Sequence, residues 1–184
     1  MNYTEVQGLD PSPLAVEFCN QKGLAKVSLG DARDLPFEDA SLDLILATDI
    51  IEHVEEDKKA IDEIFRTLKP GGHALFTVPA FQCLWGNQDE LYQHKRRYLK
   101  RDFNELVTSS GMRIKNTFYF NYLLFFPIWI TRQIIKWVGI SDRSELDTNS
   151  KFINAVFLKI FKFDVLSAPY LKPPFGVSIL TLAS

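Results

Sequence analysis

Asp10 and Asp31 each follow a short apolar segment that is predicted to form a strand, and their chemistry suits a nucleoside. An ionised carboxylate accepts hydrogen bonds at both oxygens, so Asp10 can bind two ribose hydroxyls and Asp31 can bind an exocyclic amine of a base. Pro11 and Ala32 would then offer a flat face and a backbone N–H to the same base. Each aspartate alone is equally typical of a helix cap or a turn.

A second group of reactive residues, Asp49, Glu52 and His53, follows a longer apolar segment. Asp49 and His53 are residue types that can take a proton from a substrate. The structural alternative is that Asp49 caps a helix and Glu52 interacts with the positive end of its dipole. Both interpretations remain open from the sequence.

A third group lies on a polar segment further along the chain and comprises Asp89, His94, Arg96, Arg97 and Tyr98. Guanidinium groups bind carboxylates and phosphates through paired hydrogen bonds, which favours an anionic substrate group here. In the alternative interpretation, His94 and Arg97 fix the segment to the protein through internal hydrogen bonds and ion pairs. A contact of the neighbouring cations with anionic lipid or RNA is a further alternative.

The elements that must position these residues alternate between strand and helix periods. Strands are predicted at 4–9, 25–29, 41–48, 72–79 and 112–118, with a final strand in 174–183. Helices are predicted from Ser12-Pro13 to Gly23, where proline suits the first helical position, at 57–68 and at 100–110. The apolar run at 41–48 predicts a strand covered on both faces, and Gly71-Gly72 predicts a glycine stop for the preceding helix.

Strands that alternate with helices require crossover connections, which predict a parallel sheet and an α/β fold. In such sheets ligands bind beyond the carboxyl ends of the strands. The first two groups of residues stand at those ends, so we expect them to share one binding edge.

The segment from Leu29 to Val54, closed by Leu68-Lys-Pro-Gly-Gly72, resembles the adenine-binding and methionine-side half of class I S-adenosylmethionine-dependent methyltransferases. The resemblance implies a Rossmann-like, mostly parallel sheet with flanking helices and an antiparallel final strand. It also implies S-adenosylmethionine as cofactor, bound by Asp10, Pro11, Asp31, Ala32 and Asp49. Ile50 would border the methyl acceptor together with Asp49.

Enzymes of this class begin with a strand and a Gly-x-Gly-x-Gly loop, and that pattern does not occur in the 184 residues. The absent strand would be central, between the strands at 4–9 and 41–48, so we expect a groove there. Three explanations stay open: the chain is a truncated form of a longer protein, another segment or subunit such as a dimer partner fills the gap, or the chain is a non-catalytic relative. The first is preferred.

Asp89 and the run His94-x-Arg-Arg-Tyr98, with the final segment 174–183, resemble a bacterial branch that methylates small molecules. The resemblance places this loop over the cleft, with Arg96, Arg97 and Tyr98 as substrate-binding residues. If the acceptor is a hydroxyl, His94, Asp49 or His53 would take its proton. A few methyltransferases hold a divalent metal with an acid-x-x-Glu-His run, but we expect no metal here and no effect of added Mg²⁺ or Zn²⁺ on activity.

Composition limits the remaining functions. The chain is 46% hydrophobic and 24% charged, which is ordinary for one globular domain over residues 1–184. Residues 1–70 carry a net charge of −8 and residues 71–184 one of +6, which argues against nucleic acid as a partner. Cys19 and Cys83 show no disulfide pattern, so we expect a cytoplasmic protein.

The aromatic segment 116–131 is uncharged, and the region 119–170 is predicted to form a helical lid inserted in the domain. Asn121, Pro127 and two cations make this region a poor membrane span. We expect two lid helices that pack together over an apolar pocket for a small or lipid-linked acceptor. The alternative is peripheral contact of 118–162 with the inner face of a membrane.

Overall fold

The computed structural model describes residues 5–24, 26–138 and 151–184. Parts of the predicted strands at 4–9 and 25–29, and of the predicted lid, lie outside these ranges. The strands are β1 Gly8–Asp10, β2 Val27–Leu29, β3 Leu42–Thr48, β4 Leu68–Pro79, β5 Ile114–Phe120 and β6 Ser178–Ala183. The helices are α1 Pro13–Gln21, α2 Asp57–Thr67, α3 Asn87–Leu91, α4 Lys100–Thr108, α5 Phe125–Val138 and α6 Lys151–Leu171.

The strands form two hydrogen-bonded sheets. β1 and β2 form a parallel pair in which Asp10 lies opposite Leu29. The other sheet has the order β3-β4-β6-β5, with β3 and β4 parallel and β6 antiparallel to both of its neighbours. The predicted α/β fold and its antiparallel final strand are thus confirmed.

The core lies between the larger sheet and the helices α2 and α4. Ile61 and Ile64 of α2, Phe103 of α4 and Phe76 of β4 are almost completely buried. Each such side chain contributes roughly 1.5–3 kcal/mol by leaving water. The rings of Phe76 and Phe103 meet edge to face with centroids 5.8 Å apart. This packing holds β4 and its parallel neighbour β3 in place. Asp49, Glu52 and His53 follow the carboxyl end of β3.

The burial of β3 differs from the prediction. Ala47 faces the core, but Leu44 and Leu46 on the opposite face are 43% and 64% exposed. Among the described residues, β3 pairs with β4 alone, so its other edge is open. The face of a strand is buried only when another element packs over it. Among the described residues, no element fully covers the face that carries Leu44 and Leu46.

The glycine pair also differs from the prediction. Helix α2 ends at Thr67, and the next residue, Leu68, is already extended, so Gly71 and Gly72 do not cap the helix. They lie instead in an irregular stretch of the β3–β4 pair, where Gly71 has a φ of +83°. A Cβ on Gly72 would lie 3.0 Å from the Lys69 carbonyl oxygen and 3.1 Å from that of Leu42. The glycines therefore permit close backbone approach inside the sheet.

The region between β5 and β6 contains the helices α5 and α6, and that they form a lid stays a prediction. α5 packs against the turn Gln82–Leu84, and α6 packs against β5. A buried carboxylate, Asp164, fixes α6 by accepting hydrogen bonds from the backbone N–H groups of Asn121 at 2.6 Å and Leu123 at 2.9 Å. None of the described helices has the length and apolar character needed to cross a bilayer.

Candidate active site

The two predicted nucleoside-binding aspartates lie at one edge of the β1–β2 pair. Because the strands are parallel, their carboxyl ends coincide, and the N–H of Gly30 donates to the carbonyl of Asp10 at 3.1 Å. The Asp10 carboxylate accepts from the N–H of Ser12 at 2.8 Å, at the start of α1. Ser12 in turn caps α1, and Pro13 is at its first turn, as predicted. The structure thus brings Asp10 and Asp31 to the same edge.

The Asp31 carboxylate is already paired with a cation. Arg33 donates to both of its oxygens, with the shortest distance 2.6 Å from Nη2 to Oδ2, and the Arg33 N–H donates as well. The hydrogen bonds from Arg33 lower the pKa of Asp31 to about 2, so the carboxylate is ionised at any physiological pH. An adenine amine would therefore share this carboxylate with Arg33 or displace one of its hydrogen bonds.

The neighbours of the two aspartates differ in burial. Pro11 is exposed beside Asp10, where its ring is free to contact a base. Ala32 is half-buried and packs against the core cluster. Ala32 is therefore firmly held, whereas Pro11 is held only by the short β1 and the start of α1.

Asp49 and Ile50 lie at the carboxyl end of β3, and both are exposed. The N–H of Asp49 donates to the carbonyl and to the hydroxyl of Thr77, at 2.9 and 3.1 Å, which ties this end of β3 to β4. Asp49 has a φ of +52°, a left-handed conformation that aspartate tolerates better than most residues. The turn that follows, Ile51–His53, begins after Ile50 and has no side-chain cap, so the structural alternative for Asp49 as a helix cap is not observed.

Glu52 is completely buried, and neither of its carboxylate oxygens has a hydrogen-bond partner among the described residues. Burial raises its pKa to about 8, and the nearby charge of Asp49 adds to the effect. The carboxyl group is therefore mainly protonated at neutral pH. This state prevents Glu52 from accepting a proton there.

The rings of His53 and His94 meet edge to face with centroids 4.7 Å apart, which joins the β3 end to the polar loop. Partial burial and the neighbouring His94 lower the pKa of His53. His94 Nδ1 lies 2.8 Å from Asp89 Oδ1 and donates to it. A neutral His94 then carries its lone pair on Nε2, the atom suited to accept a proton.

Asp89 is the centre of a buried polar cluster that orders the loop. Its carboxylate accepts from the N–H of Gly86, from His94, from Arg97 Nε at 2.8 Å, and from Arg132 of α5 at 3.4 Å. Burial alone would raise the pKa of Asp89, but the hydrogen bonds from Arg97 and Gly86 outweigh it and lower the pKa. The cluster links the loop to helix α5.

The three predicted substrate-binding side chains of the loop make internal contacts. Arg97 donates to Asp89 and to the Ala80 carbonyl at 3.0 Å. Arg96 donates to Asp57 at 2.8 Å, and the Tyr98 hydroxyl donates to the same carboxylate at 2.9 Å. Burial and the Asp57 charge raise the pKa of Tyr98. These contacts favour the interpretation in which the loop is fixed to the domain, and a role of the three residues in acceptor binding stays a prediction.

Three side chains at the junction of turn and loop could together hold a metal ion. Glu52, His53 and His94 each offer one ligand atom, and these atoms lie within 4.8 Å of one another. The sequence pattern included Glu52 and His53 but not His94 in such a set. Our expectation that no metal takes part stays a prediction.

Two site residues were not found from the sequence. Thr77 anchors Asp49 from the neighbouring strand, and nothing in its local pattern indicates this contact. Arg132 reaches Asp89 across 43 positions of sequence. Its signal was present, since Arg132 is one of two cations in the largely apolar α5, and a cation in such a helix usually has a partner.

Comparisons with known proteins find similarity to methyltransferases. Residues 1–76 match a family model described as a methyltransferase domain. Norajmaline N-methyltransferase of Rauvolfia serpentina is 31% identical over 114 residues, which cover 57% of this chain and 38% of that enzyme. A probable phthiotriol/phenolphthiotriol dimycocerosates methyltransferase 2 of Mycobacterium ulcerans is 39% identical over 72 residues, which cover 37% of this chain and 28% of that protein.

Among solved structures, a geranyl diphosphate methyltransferase in complex with S-adenosylmethionine aligns with a TM-score of 0.61 at 13% identity, over 98% of this chain and 68% of that chain. This likeness shows the fold alone. The chain spans well under half the length of the two curated relatives.

The match over residues 1–76 and the shared fold support the predicted class, the class I S-adenosylmethionine-dependent methyltransferases, and with it the predicted cofactor, S-adenosylmethionine. The assignment to the bacterial branch with the His-x-Arg-Arg-Tyr loop stays a prediction.

Proposed function

We propose that the protein containing this chain transfers a methyl group from S-adenosylmethionine to a small or lipid-linked acceptor. The observation that carries the proposal is the common edge formed by Asp10 and Asp31 on adjacent parallel strands. Two carboxylates at that edge have the acceptor groups that a ribose and an adenine amine require. The residues present therefore fit the adenosine half of the cofactor.

In the proposed site, Asp10 and Pro11 hold the ribose side, and Asp31 with the Ala32 N–H holds the base. Asp49 and Ile50, exposed at the end of β3, face the methionine side and the acceptor. Bound S-adenosylmethionine supplies an already activated methyl group, so the protein's contribution is alignment and exclusion of water. No residue of the chain has to form a covalent bond.

A hydroxyl acceptor would lose a proton on methylation, and three groups are placed to take it. His94 is the first choice because Asp89 fixes its Nδ1 as a donor and so leaves Nε2 as the proton acceptor. His53 lies against it, and Asp49 is exposed nearby. Glu52 is excluded near neutral pH because it is already protonated.

The lid favours an apolar acceptor. Phe125 and Phe126 of α5 contact Phe175, with ring centroids 5.1 Å apart in both pairs, and Phe81 contacts Phe125 at 5.5 Å. We propose that 119–170 acts as a helical lid on a single domain formed by residues 1–184. A cluster of aromatic rings selects a small apolar or lipid-linked molecule over a nucleic acid.

The second candidate function is a non-catalytic, partner-binding protein. The open edge of β3, with Leu44 and Leu46 exposed, supports it, since unpaired edges readily pair with another strand. A second copy or another segment that adds a strand there would serve assembly instead of catalysis.

Calorimetry with S-adenosylmethionine separates the two functions. The chain is compared with a version extended upstream by a segment that carries a strand and a Gly-x-Gly-x-Gly loop. Asp10→Asn and Asp31→Asn should each weaken binding by about tenfold to a hundredfold, because each removes a charged acceptor worth about 1.5–3 kcal/mol. Asp43→Asn, an exposed carboxylate at the start of β3, is the matched control and should change nothing.

Binding by the extended protein that the two site variants weaken would support methyl transfer. Absence of binding by both proteins would refute it and leave the partner-binding function.

A further inference from the structure

Helix α6 is held to the protein by one side. Asp164 accepts two backbone N–H groups and is 1% exposed, and Ala168, one turn further on, is completely buried. Between them, the Ser167 hydroxyl lies 2.9 Å from that of Tyr122. These contacts fix the rotation of the helix about its axis.

The opposite side of α6 presents large apolar groups to solvent. We define the outer stripe as Val156, Phe163, Leu166 and Tyr170, whose spacings of seven, three and four residues place them on one helix face. At 100° per residue this face lies roughly opposite Asp164 and Ala168. The four side chains are 41%, 59%, 72% and 86% exposed, so this face of the helix presents apolar groups to solvent. Phe157, Leu158 and Phe161, on other faces of the first half of α6, are also 42–53% exposed.

The exposed charged residues of α6 between positions 154 and 171 all have one sign. Lys159 lies within the outer stripe and Lys162 lies beside it, and both are exposed. The single acidic residue between positions 154 and 172 is Asp164, which is buried and used internally. The exposed side of α6 is therefore both apolar and purely cationic.

Charge complementarity selects the occupant of this surface. A second copy of the chain would bring lysines against lysines, which opposes pairing of two outer stripes. An anionic bilayer offers acyl chains to the apolar groups and negative headgroups to Lys159 and Lys162, the combination typical of helices that lie in a membrane interface.

We propose that α6 docks lengthwise on an anionic membrane surface through the outer stripe and its lysines. The helix then lies in the plane of the interface, with Phe163, Leu166 and Tyr170 among the acyl chains. This surface is separate from the proposed nucleoside edge, and docking does not depend on methyl transfer. It would bring the lid to the place where a lipid-linked acceptor resides.

Vesicle flotation of the 184-residue chain tests the proposal, with phosphatidylcholine vesicles with and without phosphatidylglycerol. The wild-type chain should float with the anionic vesicles and much less with the neutral ones. Each lysine near an anionic surface strengthens binding about fivefold, so Lys159→Glu/Lys162→Glu should weaken it by more than tenfold. Phe163→Ser/Leu166→Ser should also abolish flotation, since it removes the inserted groups.

Leu91→Ser on α3 is the matched control, because Leu91 is 66% exposed and lies outside α6. It should float like the wild type, and circular dichroism should show that all variants remain folded. Equal flotation of wild type and stripe variants, or equal binding to neutral and anionic vesicles, would overturn the proposal. So would a dimer in sedimentation analysis that the stripe variants disrupt, without any vesicle binding. Calorimetry with S-adenosylmethionine measures binding at the proposed nucleoside edge independently of vesicle binding.

Discussion

Replacing Glu52 by glutamine should change how the stability of the domain depends on pH. Glu52 is completely buried without a partner among the described residues, and its pKa in the folded state is about 8 against an ordinary value of 4.5. Between these two values the folded protein binds a proton that the unfolded chain has lost. The free energy of unfolding of the wild type therefore falls as pH rises from about 4.5 to 8.

The magnitude follows from the size of the shift. Each pKa unit corresponds to about 1.4 kcal/mol, so a shift from 4.5 to about 8 amounts to at most about 5 kcal/mol. Below pH 4.5 the carboxyl is protonated in both states, and the penalty is absent. Glutamine cannot ionise, so near pH 4.5 the free energy of unfolding of Glu52→Gln should be nearly that of the wild type. Near pH 8.5 it should be several kcal/mol larger.

Urea denaturation, followed by tryptophan fluorescence in the presence of EDTA, measures the difference at both pH values. Other titrating groups are common to the two proteins, so the difference between them isolates Glu52. Glu105→Gln, an exposed carboxylate on α4, is the matched control and should leave the pH dependence unchanged. If wild type and Glu52→Gln show parallel pH dependence, the buried, neutral state assigned to Glu52 is refuted.

Two further outcomes are expected. Asp89→Asn removes the charge that holds the buried Arg97, so it should lower the free energy of unfolding by about 3–5 kcal/mol in urea denaturation. The exposed Asp102→Asn is the control and should change this free energy little. A loss below about 1 kcal/mol for Asp89→Asn would contradict the cluster's role. Added Mg²⁺ or Zn²⁺ should leave the rate of methyl transfer from radiolabelled S-adenosylmethionine unchanged, because a metal would have to displace the proton of Glu52. Methyl transfer that strictly requires the metal and is lost in His53→Ala would show that a metal takes part.

The order and direction of the elements were predictable because they depend on local patterns. Ser12 followed by proline indicated the start of α1, and the helical spacing in 57–68 indicated α2 to within one residue. The burial of β3 was not predictable in the same way. Its apolar run is consistent with cover on both faces, but the cover depends on which other elements close over it.

For the candidate site, the sequence identified the residue types but not their partners. Asp89, His94 and Arg97 were recognised as one polar segment, but the contact of Arg132 with Asp89 spans 43 positions and depends on how α5 packs. The burial of Glu52 was equally hidden, since a glutamate in a short turn beside exposed Asp49 and His53 gives no sign that it faces inward. Long-range packing decides both cases.

The two halves of the candidate site stand on separately hydrogen-bonded sheets, so something other than the sheet must hold them in register. The segment after β2 supplies this link. Glu63 of α2 accepts the Leu35 N–H at 2.9 Å, while Arg66 donates to the carbonyls of Leu35 and Phe37 at 3.0 and 2.9 Å. Asp31 is thereby positioned through α2, the same helix that packs against β4, whereas Asp10 depends on its pairing with β2. The side of the edge that we propose to bind the base is therefore the more firmly held one, and a nucleoside bound there would chiefly order the proposed ribose side.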